Sequence, residues 1–369
     1  MATGWDPQEV TATSNLTPLA TNPDGSCANF DGAKTVDCVY WALTSSGVTN
    51  IMETDSTDGG QTWGAPYAIT SDTGQDYTPY ITYDFYHQQV LVVYSKWHNN
   101  VGGAGNDLML MKRTSASGTY DAPVMVAGGD GQSYWEGSAL ALNDGNIMVS
   151  YAVNGPESNA GVYSGFIAVK TSTNNGASFG SQVQTSSLCN AEFPRAIQNS
   201  SGAIVQVYSR YVDASHMPPA DQQCADFVSN GYPGSDIHQI WSTNDGATWT
   251  GEADIYHNPN GTSSVHASIG VEAYQNPASC PSCTWDLSFV TGTGSGTYGV
   301  YRIYSTDQWA SWTPTPTQYP GSSTWSNFLN INPSMTLTCT GAMFTYTDAY
   351  EGENMYNLRY IANSTCSGA

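Results

Sequence analysis

A short motif recurs along the chain at nearly regular intervals, and it constrains the fold more than any other feature. Its clear copies are 56–63, 172–179 and 242–249, with a degenerate copy at 305–312 and a weak one at 115–120. The aromatic residues that end successive copies are Trp63, Tyr120, Phe179, Trp249 and Trp312. Regular spacing of this kind is typical of an array of similar supersecondary units.

Each copy has the composition of a tight turn between two strands. Its Ser, Thr, Asp or Asn side chains can hydrogen-bond the turn backbone, its Gly can take a positive φ, and its aromatic residue can pack beneath the turn. β-rich runs such as 203–209 and 254–256 flank the copies. Four strands in each unit of ~60 residues, repeated about six times, predict an all-β, six-bladed β-propeller.

The whole chain, 1–369, is interpreted as a single propeller domain, since no convincing linker interrupts it. Residues 9–13 alternate between polar and apolar side chains. We expect them to add a strand to the last blade, which closes the ring and removes an open sheet edge. The spacing predicts blades over 21–70, 71–126, 127–187, 188–256, 257–318 and 319–369.

Charge and hydropathy exclude several classes of partner. Lys and Arg number 9 against 31 Asp and Glu, for a formal net charge of −22. Binding to nucleic acid or to an anionic membrane surface needs clustered positive charge, so neither partner is expected. No apolar run is long enough to span a bilayer. A closed propeller needs no second subunit for stability, so a monomer is expected.

Eight cysteines and four Asn-x-Ser/Thr sequons favour an extracellular, secreted protein. The sequons begin at Asn15, Asn199, Asn260 and Asn363. We expect disulfides between cysteines close in sequence, namely Cys27 with Cys38, Cys189 with Cys224, Cys280 with Cys283, and Cys339 with Cys366.

The repeat, written S-x-D/N-x-G-x-T/S-W/F, resembles the Asp box of the sialidase superfamily. The resemblance extends over most of the chain and implies a six-bladed propeller with the boxes on its outer turns. It implies a structural role for the acidic or amide residue of each box, at Asp58, Asn174, Asn244 and Asp307.

Two glutamates are the leading catalytic candidates. Glu136 and Glu192 stand at the start of predicted inner strands, and the innermost strands of a propeller line its central funnel. Both precede a strand–Gly turn–strand pattern, which predicts equivalent positions in neighbouring blades. Two such carboxyl groups could lie ~5–10 Å apart, as in glycosidases, one acting as general acid and the other as nucleophile or base. The alternative is that each caps a strand end or pairs with Arg195 or Arg210.

A second resemblance suggests a substrate. Trp135-Glu136-Gly137 resembles the Trp-Glu-Pro inner-strand motif of the fungal-type exo-arabinanases, with Gly137 in place of Pro. It implies a glycoside hydrolase that acts from the end of a plant-type polysaccharide such as arabinan. On this resemblance Glu136 is the acid/base, and Glu192, by blade position, is the nucleophile.

Aromatic and polar residues near these glutamates are candidates for binding the oligosaccharide or polysaccharide, because aromatic rings bury the apolar faces of sugars. The aromatic candidates are Tyr77, Tyr134, Trp135 and Trp97, and the polar ones are Asp76, Arg195, Arg210 and His266. No cofactor is expected. No metal-ligand motif is recognised, and the acidic segment 348–353 is interpreted as a solvated loop.

Two other functions stay open. One is a lectin, a carbohydrate-binding propeller without catalysis. The other is a sialidase-like or uronate-acting enzyme using Arg195, Arg210 and Arg302, supported by the likeness of the Glu192…Gly202…Arg210 stretch to one in sialidases. The sequence contains no arginine in the first blade, where sialidases carry one.

Overall fold

A computed structural model provides the coordinates. It describes residues 7–16, 25–29, 35–44, 47–57, 62–71, 74–100, 103–114, 119–154, 165–186, 191–212, 234–257, 264–271, 285–292, 298–318, 334–338, 341–349 and 356–363. These residues form strands and turns, and none of them is helical.

The strands of the first three sheets are β2 (Gly25–Asn29), β3 (Val36–Leu43), β4 (Thr49–Ser56), β5 (Tyr67–Ala68), β6 (Asp76–Asp84), β7 (Gln89–Asn100), β8 (Gly103–Arg113), β9 (Val124–Ala127), β10 (Ser133–Ala141), β11 (Ile147–Asn154), β12 (Phe166–Ser172) and β13 (Val183–Gln184). The remaining strands are β1 (Pro7–Leu16), β14 (Ala191–Gln198), β15 (Ile204–Val212), β16 (Gly234–Ser242), β17 (Thr250–Tyr256), β18 (Ser264–Val271), β19 (Trp285–Gly292), β20 (Tyr298–Ser305), β21 (Thr317–Gln318), β22 (Ser334–Thr338), β23 (Gly341–Ala349) and β24 (Tyr356–Asn363).

In the described part of the chain these strands form six four-stranded antiparallel sheets. Five sheets consist of consecutive strands, and their limits agree closely with the blade spans predicted from the repeat. The first strands of the sheets, β2, β6, β10, β14, β18 and β22, contact one another in a closed cycle. The all-β propeller class is therefore confirmed.

The last sheet has the order β1-β24-β23-β22. Its outermost strand comes from the start of the chain, and Pro7 pairs with Asn363 in an antiparallel register. The two ends of the described chain thus meet in one sheet, and β1 covers the edge of β24.

The core lies between neighbouring sheets. Among the strands whose burial the structure describes, second strands are the most buried, and residues 147–153 on β11 and 285–292 on β19 are all buried. Both faces of these strands are covered by other sheets, so even polar side chains such as Ser150, Asp286 and Ser288 are buried there.

The repeat turns connect the third and fourth strands of their blades. In the copy at 172–179, the Ser172 hydroxyl accepts the Gly176 N–H at 2.8 Å, and Asn174 Oδ1 accepts the Ser178 N–H at 3.0 Å. Gly176 has a φ of 74°. The copies at 242–249 and 305–312 contain the same two bonds. The predicted turn geometry is confirmed for these three copies, whereas Asp58 lies outside the described residues.

Cys27 on β2 and Cys38 on β3 form a disulfide, as expected. The two residues are directly opposite each other in the antiparallel register. The other six cysteines lie outside the described residues. Within the described segments, no helical stretch meets the length and apolarity that a membrane crossing requires.

Candidate functional site

A β-bulge interrupts the inner strands of four neighbouring blades near their starts. The regular pairing is broken between Tyr77 and Tyr80, Trp135 and Ser138, Glu192 and Arg195, and Val265 and Ser268. In the first three bulges the second residue has a positive φ, namely Thr78, Glu136 and Phe193. A bulge re-aims side chains, and bulges are common beside active sites.

The bulges show that Glu136 and Glu192 are not at equivalent positions, so that prediction is wrong. Glu136 aligns with Phe193 of the next blade, whereas Glu192 aligns with Trp135. The similar strand–turn–strand patterns suggested equivalence, but the two glutamates are offset by a single position in the structural repeat. Such a pattern does not fix the position of a bulge, although the one added residue reverses which side chains face inwards along the strand beyond it.

The offset places the Glu136 carboxylate beside the peptide unit that follows Glu192. The Phe193 N–H, in the peptide unit that follows Glu192, donates to Glu136 Oε2 at 2.8 Å. Only one carbonyl carbon separates that nitrogen from the Glu192 Cα, so standard bond lengths put the Glu192 carboxyl within roughly 9 Å of Glu136 Oε2. Glu192 is 8% exposed, and Glu136 is half-buried.

Arg195 lies beside this pair. Its Nη1 donates to the Pro194 carbonyl at 2.8 Å and to the Glu136 carbonyl at 3.3 Å. The guanidinium also stacks over the Tyr80 ring, 4.5 Å from the centroid, and Arg195 is 8% exposed. Through the Glu136 contact, Arg195 links β14 to the bulge of β10 and helps to fix the position of Glu136.

Aromatic rings form a second part of the site. The rings of Tyr77 and Trp135, at equivalent bulge positions, are 6.4 Å apart and tilted by 35°. Trp41 meets Tyr77 edge-on at 5.2 Å. Tyr77 and Trp135 are half-exposed, so they can offer ring surface to a sugar. Sequence reasoning missed Trp41, which lies on the second strand of its blade and carries no signal of its own.

Two other candidates are buried. Tyr134 is 3% exposed, and its hydroxyl donates to Asp130 at 2.5 Å. Burial, followed by the bond to Asp130, raises the pKa of Tyr134 above its usual range. Asp76 at the start of β6 is fully buried. The side chain of His266 lies outside the described residues, although its backbone is part of β18.

Three other arginines form ion pairs within or between blades. Arg210 Nη1 lies 3.0 Å from Glu252 Oε1 on β17, Arg302 pairs with Asp286, and Arg113 contacts both Asp37 and Glu53 at 2.6 Å. Arg195 contacts the Glu136 carbonyl, as described above. Arg210 and Arg302 are thus each paired with a carboxylate of their own blade.

Comparison with known proteins supports the fold. No family model matches the sequence, and no curated protein does. The structure is similar to the GH93 α-L-arabinofuranosidase of Fusarium graminearum in complex with arabinobiose, with 14% identity, coverage of 96% of this chain and 98% of that one, and a TM-score of 0.64. It is also similar to the Hadza microbial sialidase Hz136, with 13% identity, coverage of 93% and 65%, and a TM-score of 0.61.

The sialidase of Trypanosoma rangeli is a further match, with 10% identity, coverage of 96% of this chain and 59% of that chain, and a TM-score of 0.62. The chain thus spans nearly all of the arabinofuranosidase but less than two thirds of either sialidase. At these identities the likeness establishes a shared β-propeller fold, and it assigns no activity to this chain.

Proposed function

We propose that this protein is a secreted glycoside hydrolase that uses Glu136 and Glu192 as its two catalytic carboxyl groups. The observation that carries the proposal is the hydrogen bond from the Phe193 N–H to Glu136 Oε2. It ties one glutamate to the peptide unit of the other across the boundary between two blades. Glycosidic bond cleavage needs two carboxyl groups at about this range.

The roles of the two glutamates follow the exo-arabinanase resemblance of Trp135-Glu136-Gly137. Glu136 is the proposed acid/base, and Glu192 is the proposed nucleophile.

A neutral sugar fits the described surroundings of the pair. Tyr77 and Trp135 supply half-exposed rings, and Arg210 and Arg302 are held by carboxylates instead of being offered to an anionic substrate. The net charge of −22 also opposes a polyanionic substrate. We propose an α-arabinan end as the substrate, in keeping with the arabinobiose named for the similar Fusarium enzyme. The Cys27–Cys38 disulfide supports an extracellular location.

The test is product analysis on linear arabinan, pectin, a sialylated glycoprotein and a uronate polymer. We expect wild type to release a small sugar from arabinan. Glu136→Gln and Glu192→Gln should each lower kcat by at least ~10³-fold, because each removes a group that acts in the transition state. Added azide should restore turnover to the variant that lacks the nucleophile, which we expect to be Glu192→Gln.

Asp144→Asn is the matched control, because Asp144 is an exposed carboxylate in the β10–β11 turn of the same blade. It should keep wild-type kcat and KM. Release of sialic acid or of an unsaturated uronate would overturn the neutral-sugar assignment. Sugar binding by all variants, with no product from any polymer, would instead indicate a lectin.

A further inference from the structure

Three potential metal ligands converge on the outer strands of the fourth blade. Each of Asp236, His238 and Asp254 offers a ligand atom, and these atoms all lie within 4.8 Å of one another. Asp236 and His238 belong to β16, and Asp254 belongs to β17. No sequence pattern pointed to this group, since a single Asp-x-His and a distant Asp match no metal-binding motif.

Strand register explains why the three side chains meet. Asp236 and His238 are two positions apart on one strand, so they face the same side of the sheet. Asp254 is directly opposite His238 in the antiparallel register with β17. Directly opposite residues have Cβ atoms ~5 Å apart, which brings the third ligand to the same spot.

His238 is the member that points to a ligand. It is 5% exposed, and neither ring nitrogen has a hydrogen-bond partner among the described residues. A buried polar atom without a partner is costly, and native structures rarely leave one. The Tyr208 ring stacks on the imidazole at 5.9 Å with an interplanar angle of 19°, which holds the ring in place. A bound cation would give one of these nitrogens its missing partner.

Charge around the group favours a cation. The positive charge of Arg210 lies near the His238 imidazole, but it is balanced by the carboxylate of Glu252. The carboxylates of Asp236 and Asp254 are left as about two negative charges, which a divalent ion would offset. His257, which follows β17, places its Nδ1 3.2 Å from Asp236 Oδ1, so a second imidazole stands beside the group.

We propose that Asp236, His238 and Asp254 bind one divalent transition-metal ion, with Zn²⁺ as the ion that fits best. Mixed imidazole and carboxylate ligands suit Zn²⁺ better than Ca²⁺ or Mg²⁺, which prefer oxygen alone. Bonds of ~2.0–2.2 Å to the metal require the ligand atoms to approach one another by about 1 Å. His257 is placed to orient Asp236 as a supporting partner.

The site is separate from Glu136 and Glu192, since its ligands lie on the third and fourth strands of the blade. Its role would be structural, because the ion would join β16 to β17 in addition to their backbone hydrogen bonds. A ligand that binds only the folded state raises the unfolding temperature. The proposal therefore does not depend on the glycosidase assignment.

The experiment uses the full chain without a histidine tag, stripped with EDTA and titrated with ZnCl₂. Calorimetry and elemental analysis should show one Zn²⁺ per chain, and the ion should raise the midpoint of thermal unfolding. Asp254→Asn and His238→Gln should each weaken Zn²⁺ binding by at least 10-fold. Asp254 is exposed, so its variant should fold even if loss of the buried His238 impairs folding.

His87→Gln is the matched control, since His87 Nδ1 contacts the single carboxylate of Asp84 at 2.7 Å outside any such group. It should bind Zn²⁺ as wild type does. Absence of Zn²⁺ binding by wild type would overturn the proposal. Equal affinity in wild type, Asp254→Asn and His238→Gln would also overturn it, because the ion would then bind elsewhere.

Discussion

Glu136 adopts a left-handed backbone conformation, with a φ of 56°. This conformation costs a residue with a side chain roughly 1–2 kcal/mol. Backbone strain of this kind persists where the surroundings enforce it, and it concentrates at functional sites. Here the bulge enforces it, and Glu136 gains the Phe193 N–H as its partner.

The next residue, Gly137, is fixed by packing. A Cβ at this position would lie 2.5 Å from Val93 Cγ1 and 2.6 Å from Leu108 Cδ1, both in the core. The corresponding bulge residues of the neighbouring blades are Pro79 and Pro194. The departure from the Trp-Glu-Pro motif therefore has a steric cause in the close approach of β7 and β8.

Gly137→Ala should lower the free energy of unfolding by about 1–3 kcal/mol, because it overpacks a filled core beside the bulge. Denaturant unfolding measures this change. Gly180→Ala is the control, since its Cβ would meet only the Thr171 carbonyl oxygen at an ordinary 3.4 Å. Equal stability of the two variants would show that the contact with Val93 and Leu108 relaxes without cost.

A buried ionic network joins the strands of the first two blades. Arg113 at the end of β8 contacts Asp37 on β3 and Glu53 on β4, each at 2.6 Å. The hydroxyls of Tyr67 and Tyr120 also donate to Glu53. The carboxylates of Asp37 and Glu53 thus share one guanidinium, and Glu53 accepts more hydrogen bonds than Asp37 does.

Burial raises the pKa of Asp37 to about 7. The Arg113 guanidinium opposes this rise, and the nearby Glu53 carboxylate adds to it.

This raised pKa predicts a pH-dependent stability. The folded chain binds a proton at Asp37 more tightly than the unfolded chain, so the stabilising contribution is full below about pH 4 and is lost as pH rises to about 7. Each unit of difference corresponds to ~1.4 kcal/mol. Urea unfolding of wild type between pH 4.5 and 8 should show this decline.

Asp37→Asn is the comparison for that measurement, because its amide carries no titrating proton at position 37. We expect its unfolding free energy to decline less than that of wild type over the same range. Parallel pH profiles for the two proteins would mean that Asp37 is already ionised in the folded protein at low pH.

The pairing of β1 with β24 closes the ring of blades. Without β1, the edge of β24 would present unpaired backbone groups, and the last blade would keep three strands. β1 and β24 lie at opposite ends of the described chain, so their pairing is a non-local contact. Bringing them together costs loop-closure entropy, and folding of the ring depends on this step.

Removal of residues 1–16 should lower the unfolding temperature by several degrees and promote self-association, because it exposes β24. Calorimetry and size-exclusion chromatography report the two effects. Removal of residues 1–6 alone, which precede β1, should change neither. An unchanged unfolding temperature after the longer deletion would show that the strand pair does not contribute to closure.

Sequence patterns predicted the blades and their turns, whereas the roles of the site residues stay predictions. The turn repeat predicted the sheet limits, since each copy lies between strands of one blade, and local spacing predicted the Cys27–Cys38 pair. The sequon at Asn199 is inaccessible in the folded chain, because Asn199 is 6% exposed and its side chain bonds Gln308, Ser201 and Ala203. A short sequon contains no information about burial.

The repeating β units and their turns are predictable from the amino-acid sequence, because turn chemistry and hydrophobic alternation are local properties of neighbouring residues. Three features arise only when the chain folds: the offset of Glu136 from Glu192, the approach of His238 to two carboxylates, and the ion pairs of Arg113, Arg210 and Arg302. These features depend on the register between strands and on packing between sheets. Such contacts join residues far apart in the chain, so no local pattern records them.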